Sequence, residues 1–284
     1  MTTTSAVWCR SGLALSLAAL VLPSLANEIS LAPERAGQYQ AGKGVDATFL
    51  KVYDTWKQSS VLWNEATQQY GSGVPIGTFG WGTGLWGLAD WRTANLAPTS
   101  GMIEGSWSGR VGQIAFGNAE YKSTYDTTWT PVDIAPLFSS GVPLGSQDNW
   151  TSSFSGYIRV TEAGTYNFSV LHDDGFYFKL RGANAPALEL SHDFLNPRDA
   201  LGFSNNLQLG VGLYSFELGA YDRLQAGVVE LSWSRDGGVL SRIPKANLLA
   251  FGDVTPVPEP GTWVMLLAGL MALGLVTSRG RLRH

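Results

Sequence analysis

The sequence predicts a mainly β protein, an antiparallel β-sandwich preceded by an N-terminal helix and a Gly/Trp-rich segment. Three observations carry this expectation. From about residue 105 onward, short apolar or alternating runs of strand length follow one another. Turn residues such as Glu162-Ala163-Gly164 and Asp236-Gly237-Gly238 separate these runs. Cys9 is the only cysteine and lies before the N-terminal apolar run, so no disulfide framework is available and packing alone must hold the fold.

The chain begins with one basic residue, Arg10, then an apolar run from Gly12 to Leu22 and the small-residue site Ser24-Leu25-Ala26. This is the layout of a secretory signal peptide over residues 1–26, cleaved before Asn27. Pro23 and the small residues argue against the alternative of a buried N-terminal helix. Cys9 precedes the apolar run and cannot serve as a lipoprotein anchor, so the mature chain carries no thiol.

Residues 27–104 read as a helix followed by the Gly/Trp-rich segment. Over 47–70, Phe49, Trp56, Trp63 and Tyr70 recur every seven residues, with Val52, Tyr53 and Leu62 beside them, which predicts one apolar helical face packed on the core. Gly71, Gly73 and Pro75 would end that helix. In GTFGWGTGLWGLADW, residues 77–91, Gly82, Gly84 and Gly87 satisfy G-x-G-x-x-G formally. No β-α-β unit surrounds them, and Trp81 and Trp86 would crowd a phosphate, so a nucleotide loop is rejected. Trp81, Trp86 and Trp91 form either a platform for sugar rings or part of a core where glycines let backbones approach. The core reading is preferred.

A sandwich domain over 105–252 is expected from six strands. They are Phe154 to Val160, Thr165 to Leu171, Phe176 to Arg181, Leu207 to Gly210, Leu213 to Ala220 and Val228 to Ser234. A Pro-rich linker, 253–260, then leads to a tail, 261–284. In it an apolar run from Gly261 to Val276 is shorter than the roughly 20 residues a full span needs, and Arg279, Arg281 and Arg283 follow. Val257-Pro258-Glu259-Pro260, the short apolar run and the basic end, in that order, resemble the PEP-CTERM sorting signal. The resemblance implies a Gram-negative bacterium that makes extracellular polysaccharide. It also implies an exosortase-type protease that removes the tail, a transient inner-membrane stage through the tail's transmembrane helix, and a secreted or cell-surface product. A permanent single-span anchor is the alternative.

Removing both ends takes four of the 19 basic residues (Arg10, Arg279, Arg281, Arg283) and leaves a net charge near −8 against 23 acids, or −7 if Glu259 also leaves. Such a balance argues against nucleic acid or an anionic membrane surface as partner.

The order FSGYIRV (154–160), AGTYNFSVLHDDGFYFKLRG (163–182), LQLGVGLYSFELGAYD (207–222), VVELSWSRDGG (228–238) and IPKANLL (243–249) resembles the protective-antigen-type β-sandwich domain. That fold is found in anthrax toxin, yeast flocculins and some glycosidases. The resemblance implies an extracellular sandwich that often binds carbohydrate.

In LHDDGFYF, residues 171–178, Asp174-Gly175 alone would satisfy a tight hairpin, but Asp173 would then have no task. Two adjacent carboxylates repel unless they share something positive, and calcium, with its preference for several hard oxygens, suits them. In the flocculin branch of the resembling family, an Asp-Asp pair joined by a cis peptide holds a calcium ion that binds sugar hydroxyls. Asp173 and Asp174 match that pair by position, and Asp222 in the later loop Tyr221-Asp222-Arg223 could add an oxygen. The asparagine usual in the family's later loop is not evident, and both the calcium and the turn-only readings stay open.

Nothing in the sequence supplies a catalytic set. Only His172 and His192 survive processing, and no nucleophile elbow, H-E-x-x-H or phosphate loop is present. Glu104, Glu120 and Asp126 are scattered acids from which a glycosidase pair would have to be built. The expectation is a non-catalytic carbohydrate-binding, adhesin-like protein. Its alternatives are a structural matrix protein without a defined small ligand, or a glycosidase.

Overall fold

The computed structural model describes residues 29–56, 82–124, 147–183, 186–193, 195, 199–201 and 205–256, together with 63–64, 69–70, 78–79, 132–133 and 270–271. The expected signal peptide lies outside the described residues, as does the tail apart from Leu270 and Met271. Among the described residues no helix is long and apolar enough to cross a membrane.

Two eight-stranded sheets face each other. One runs in the order Ile29–Leu31, Leu207–Leu209, Gly164–Asp173, Val228–Arg235, Ala115–Gly117, Val132–Asp133, with Asp199–Leu201 and Ser241–Arg242 as short additions. The other runs Leu188–His192, Gly175–Arg181, Gly212–Asp222, Trp150–Val160, Val45–Val52, Ile103–Val111, with Arg35–Ala36 and Leu248–Leu249 added. Pairing within the sheets is antiparallel except at Ile29–Leu31 with Leu207–Leu209 and at Ala115–Gly117 with Val132–Asp133. The six expected strands are all present, most of them extended by one to four residues, as in Trp150–Val160 and Gly212–Asp222.

Alternation along the strands builds the core. Phe168, Val170, Leu231, Val229, Phe178, Phe216, Phe154 and Ile158 all point between the sheets and are buried. Phe49 sits among them, its ring centroid 5.0 Å from that of Phe116 and 5.6 Å from that of Phe154, both edge-on. Edge-to-face contacts of this kind add to what burial of the rings already contributes.

Where the structure describes the start of the helix expected over 47–70, it finds a strand instead, and residues 57–62 and 65–68 lie outside the described residues. Val45–Val52 is a strand, hydrogen-bonded between Trp150–Val160 and Ile103–Val111. Its physical reason is period two: Val45, Ala47 and Phe49 face the main core, while Leu50 and Val52 belong to a second apolar cluster on the other face. Asp46 and Thr48 interleave with Val45, Ala47 and Phe49, so this half alternates as a strand does, and only the recurring aromatics Phe49 and Trp56 imitate a helical face. The seven-residue aromatic spacing has separate causes. Phe49 fills the main core, Trp56 joins the second cluster, and Trp63 and Tyr70 stand opposite each other in a two-stranded antiparallel ladder.

A helix does form later, at Leu88–Leu96, starting at the end of the Gly/Trp-rich segment. Leu88, Trp91 and Ala94 pack onto Leu50, Val52 and Tyr221 and so cover the outer face of the second sheet. Asp90 in its first turn suits the positive end of the helix dipole and accepts a hydrogen bond from the Trp86 amide at 2.8 Å. The Leu88 amide donates to Asp193 Oδ1 at 2.7 Å, which satisfies a donor that the helix itself cannot.

Candidate functional site

Strand register brings the sequence-predicted residues to one end of the sandwich. Trp150 stands opposite both Asp222 and Lys51, Asp173 stands opposite Val228, and Gly175 stands opposite Tyr221. The loops after Val52, before Trp150, at Asp173–Gly175 and after Asp222 therefore share that end.

The connection at Asp173-Asp174-Gly175 is not a hairpin. Gly164–Asp173 lies in one sheet and Gly175–Arg181 in the other, so the chain crosses the sandwich at the aspartate pair. A tight hairpin therefore does not account for the pair, and Gly175 has another role. A Cβ there would lie 2.5 Å from a Tyr221 ring carbon, closer than real side chains approach. The peptide bond joining Asp173 to Asp174 is cis.

Asp173, Asp174 and Asp222 are all buried, at 7%, 8% and 0% exposure. Asp174 is held by main chain on both flanks of Asp222: its amide donates to Tyr221 O at 2.9 Å, and its Oδ2 accepts from the Arg223 amide at 2.9 Å. His172 Nδ1 lies 2.6 Å from the Asp174 carbonyl oxygen. Asp222 differs from its neighbours, because neither of its carboxyl oxygens has a hydrogen-bond partner. Gly227 lets the returning chain pass over it, since a Cβ there would be 2.5 Å from Asp222 Cγ. Burial first, then the charges of Asp174, Asp148 and Asp173, push the Asp222 carboxyl well above the usual carboxylate range, against the pull of Lys51.

Four further residues complete this end. Asp148 is pushed up to about 6, by burial first and then by Glu120, with Lys51 acting the other way. Lys51, 2% exposed, places Nζ 2.7 Å from Asp54 Oδ1 and 3.8 Å from Glu104 Oε2. Asn149 has a left-handed backbone (φ 57°), accepts from the Leu85 amide at 2.8 Å and donates to Val52 O at 2.9 Å. Arg223 lays its guanidinium 3.9 Å from the Trp86 ring centroid. Lys51 carried a readable signal: it continues the inward face Val45, Ala47, Phe49, where a charge must meet partners. Asp148, Asn149 and Trp86 become neighbours only through long-range pairing, and nothing local marks them.

Trp86 and Trp91 do not form a sugar platform. Trp86 and Trp91 are 2% and 5% exposed, and Trp91 donates its indole N–H to Ser152 O at 2.9 Å, while Trp81 lies outside the described residues. Of the scattered acids considered for a glycosidase, Glu104 is tied to Lys51, Glu120 starts the short helix Ala119–Thr124, and Asp126 lies outside the described residues.

A buried carboxyl with both oxygens unsatisfied, beside an aspartate pair, suits a cation with hard oxygen ligands. Among the described residues no three His, Cys, Asp or Glu side chains are gathered closely enough to form such a shell by themselves. An ion seated on the pair would complete its shell with carbonyl or water oxygens, as calcium readily does.

The class defined by this architecture is a two-sheet sandwich with an acidic, aspartate-rich end. Residues 143–245 match the family model of the PA14 domain, in line with the resemblance in the motif order. Solved structures similar to the chain include the PA14 domain of the antifreeze protein MpAFP (16% identity, 76% of this chain and 95% of that one, TM-score 0.46). A PA14 sugar-binding domain from an RTX adhesin is similar at 18% identity, over 74% of this chain and 99% of that one, with a TM-score of 0.46. The A domain of epithelial adhesin 6 from Candida glabrata, in complex with Galβ1-3GlcNAc, is similar at 12% identity, over 82% of this chain and 99% of that one, with a TM-score of 0.47. No curated protein matches the chain.

Proposed function

We propose that the protein is an exported, non-catalytic, adhesin-like binder of glycans at the bacterial surface or in its polysaccharide matrix. Its site is the Asp173–Asp174 end of the sandwich. The single observation that carries this reading is Asp222: a wholly buried carboxyl with no hydrogen-bond partner, set beside two consecutive aspartates. Asp173 and Asp174 would hold a calcium ion, and Asp222 would supply further negative charge or an oxygen. When bound, calcium offers open coordination positions that vicinal sugar hydroxyls can fill. The chain's own contribution is orientation, because the Tyr221 carbonyl and the Arg223 amide fix Asp174 before any ligand arrives. The match of residues 143–245 to the PA14 domain supports the assignment of this end as the site. Export and removal of the tail after Pro258-Glu259-Pro260 by an exosortase-type protease complete the reading, and they rest on the sequence alone.

Calorimetry of the purified protein with calcium, followed by a glycan array with and without chelator, tests it. Calcium heat in the parent, lost in an Asp173→Ala/Asp174→Ala double variant, is the expected result. No calcium heat, or equal heat in the variant, removes the calcium site. Binding to no glycan under either condition favours a structural matrix protein instead.

A further inference from the structure

The segment from Thr83 to Leu88 grips both flanks of Asp222. On one side, the Arg223 guanidinium stacks on Trp86 at 3.9 Å and donates Nη2 to Thr83 O at 3.0 Å. On the other, Asp193 Oδ1 accepts from the Leu88 amide at 2.7 Å and from the Tyr221 hydroxyl at 3.3 Å. The main chain of those same two residues, Tyr221 and Arg223, is what holds Asp174. Trp86, Tyr221 and Arg223 are 2%, 0% and 3% exposed, so the clamp works away from water.

We propose that Trp86 and Arg223 are positioning residues for the calcium and glycan site: their stack fixes where the Arg223 amide points and, through it, the Asp174 carboxylate. The inference rests on the function proposed above and extends it to the Gly/Trp-rich segment, which lies outside the residues matching the PA14 domain. Arginine suits the task because its planar, delocalised cation can stack on an indole face and still donate edge-on. Lysine offers a point charge without a plane and cannot do both. A carboxylate with one oxygen fixed by a main-chain donor turns only about that bond, so the loop's orientation becomes the ligand's orientation. The arrangement also gives Trp86, in the Gly/Trp-rich segment, a purpose that neither a phosphate loop nor a sugar platform provides.

The variants are Trp86→Leu, Trp86→Phe and Arg223→Lys, with three readouts: calcium affinity by calorimetry, melting in chelator, and hydrogen exchange of the Arg223 amide. Trp86→Leu and Arg223→Lys should each weaken calcium binding and speed Arg223 amide exchange by about tenfold or more, as loss of a ligand's supporting partner usually does. Trp86→Phe should recover most of both, and the Trp86→Leu/Arg223→Lys double variant should be no worse than either single one. Exchange in core strands such as Gly212–Asp222 near Phe216 should stay at the parent rate, which separates positioning from general loosening. If Trp86→Leu does not fold, Arg223→Lys and Trp86→Phe carry the test. A folded Trp86→Leu or Arg223→Lys variant with parent-like Arg223 exchange, or with parent-like calcium affinity where the parent binds calcium, overturns the proposal. A parent that binds no calcium removes the function reading only, and Arg223 exchange then decides the positioning role alone.

Discussion

Gly175 faces Tyr221 across the strand pair Gly175–Arg181 and Gly212–Asp222, so close that a Cβ would sit 2.5 Å from the tyrosine ring. Asp174 immediately precedes that glycine, and Tyr221 immediately precedes Asp222. One tight contact therefore sets the spacing between the two parts of the site. Gly175→Ala should destabilise the protein by about 1–3 kcal/mol, the usual range for forcing extra volume into a packed region. Urea denaturation checks it. An unchanged midpoint would mean the ring moves aside and the contact sets nothing.

Phe49 lies at the centre of the aromatic core with no exposed surface. Phe49→Ala should cost about 3–5 kcal/mol, the range for a large aromatic removed from a core. Its ring packs against Phe116, Phe154, Trp107 and Trp150, and a loss under about 1 kcal/mol would mean that these rings collapse into the space it leaves.

The six sandwich strands were legible because each alternates or runs apolar between clear turn residues, as in Gly164–Asp173 and Val228–Arg235. Val45–Val52 was not legible, because the seven-residue spacing of Phe49, Trp56, Trp63 and Tyr70 outweighs the short alternation Val45-Asp46-Ala47-Thr48-Phe49. The aspartate pair stood out by composition, yet its meaning did not. Asp-Gly signals a hairpin locally, whereas here the chain changes sheets, which only the partners of each strand can reveal. Asn149 and Trp86 owe their place at the site to pairings more than 60 residues apart along the chain, such as the Leu85 amide with Asn149 Oδ1 and the Arg223 guanidinium on Trp86.

The acidic end should make stability depend on pH in an unusual direction. The Asp148 carboxyl is raised from 3.8 to about 6, and burial raises that of Asp222 as well. Between about pH 4 and 6 the folded chain therefore binds more protons than the unfolded one. Stability must fall as pH rises through this window and stay low above it. Thermal melts in chelator at pH 4, 5, 6 and 7 should show the decline, and excess calcium should flatten it by replacing the protons with a cation. A melting temperature that climbs from pH 4 to 6 in chelator would contradict the burial of these carboxyls as charged groups.

Asp222→Asn separates the two tasks a buried carboxyl can have. In chelator at pH 7 the parent must either hold an uncompensated charge beside Asp174, Asp148 and Asp173 or bind a proton above its usual range, and both cost stability. Asparagine keeps the shape and removes the charge, so the variant should melt higher than the parent without calcium. With calcium the order should reverse, because the amide offers one neutral oxygen where the carboxylate offered charge. Affinity for the ion should drop on the order of tenfold or more. Opposite signs in the two conditions are the signature of a residue kept for its ligand and not for the fold. If Asp222→Asn lowers the melting temperature in chelator as well, the carboxyl is serving the packing around Gly227 and Trp150, and its part in cation binding is lost.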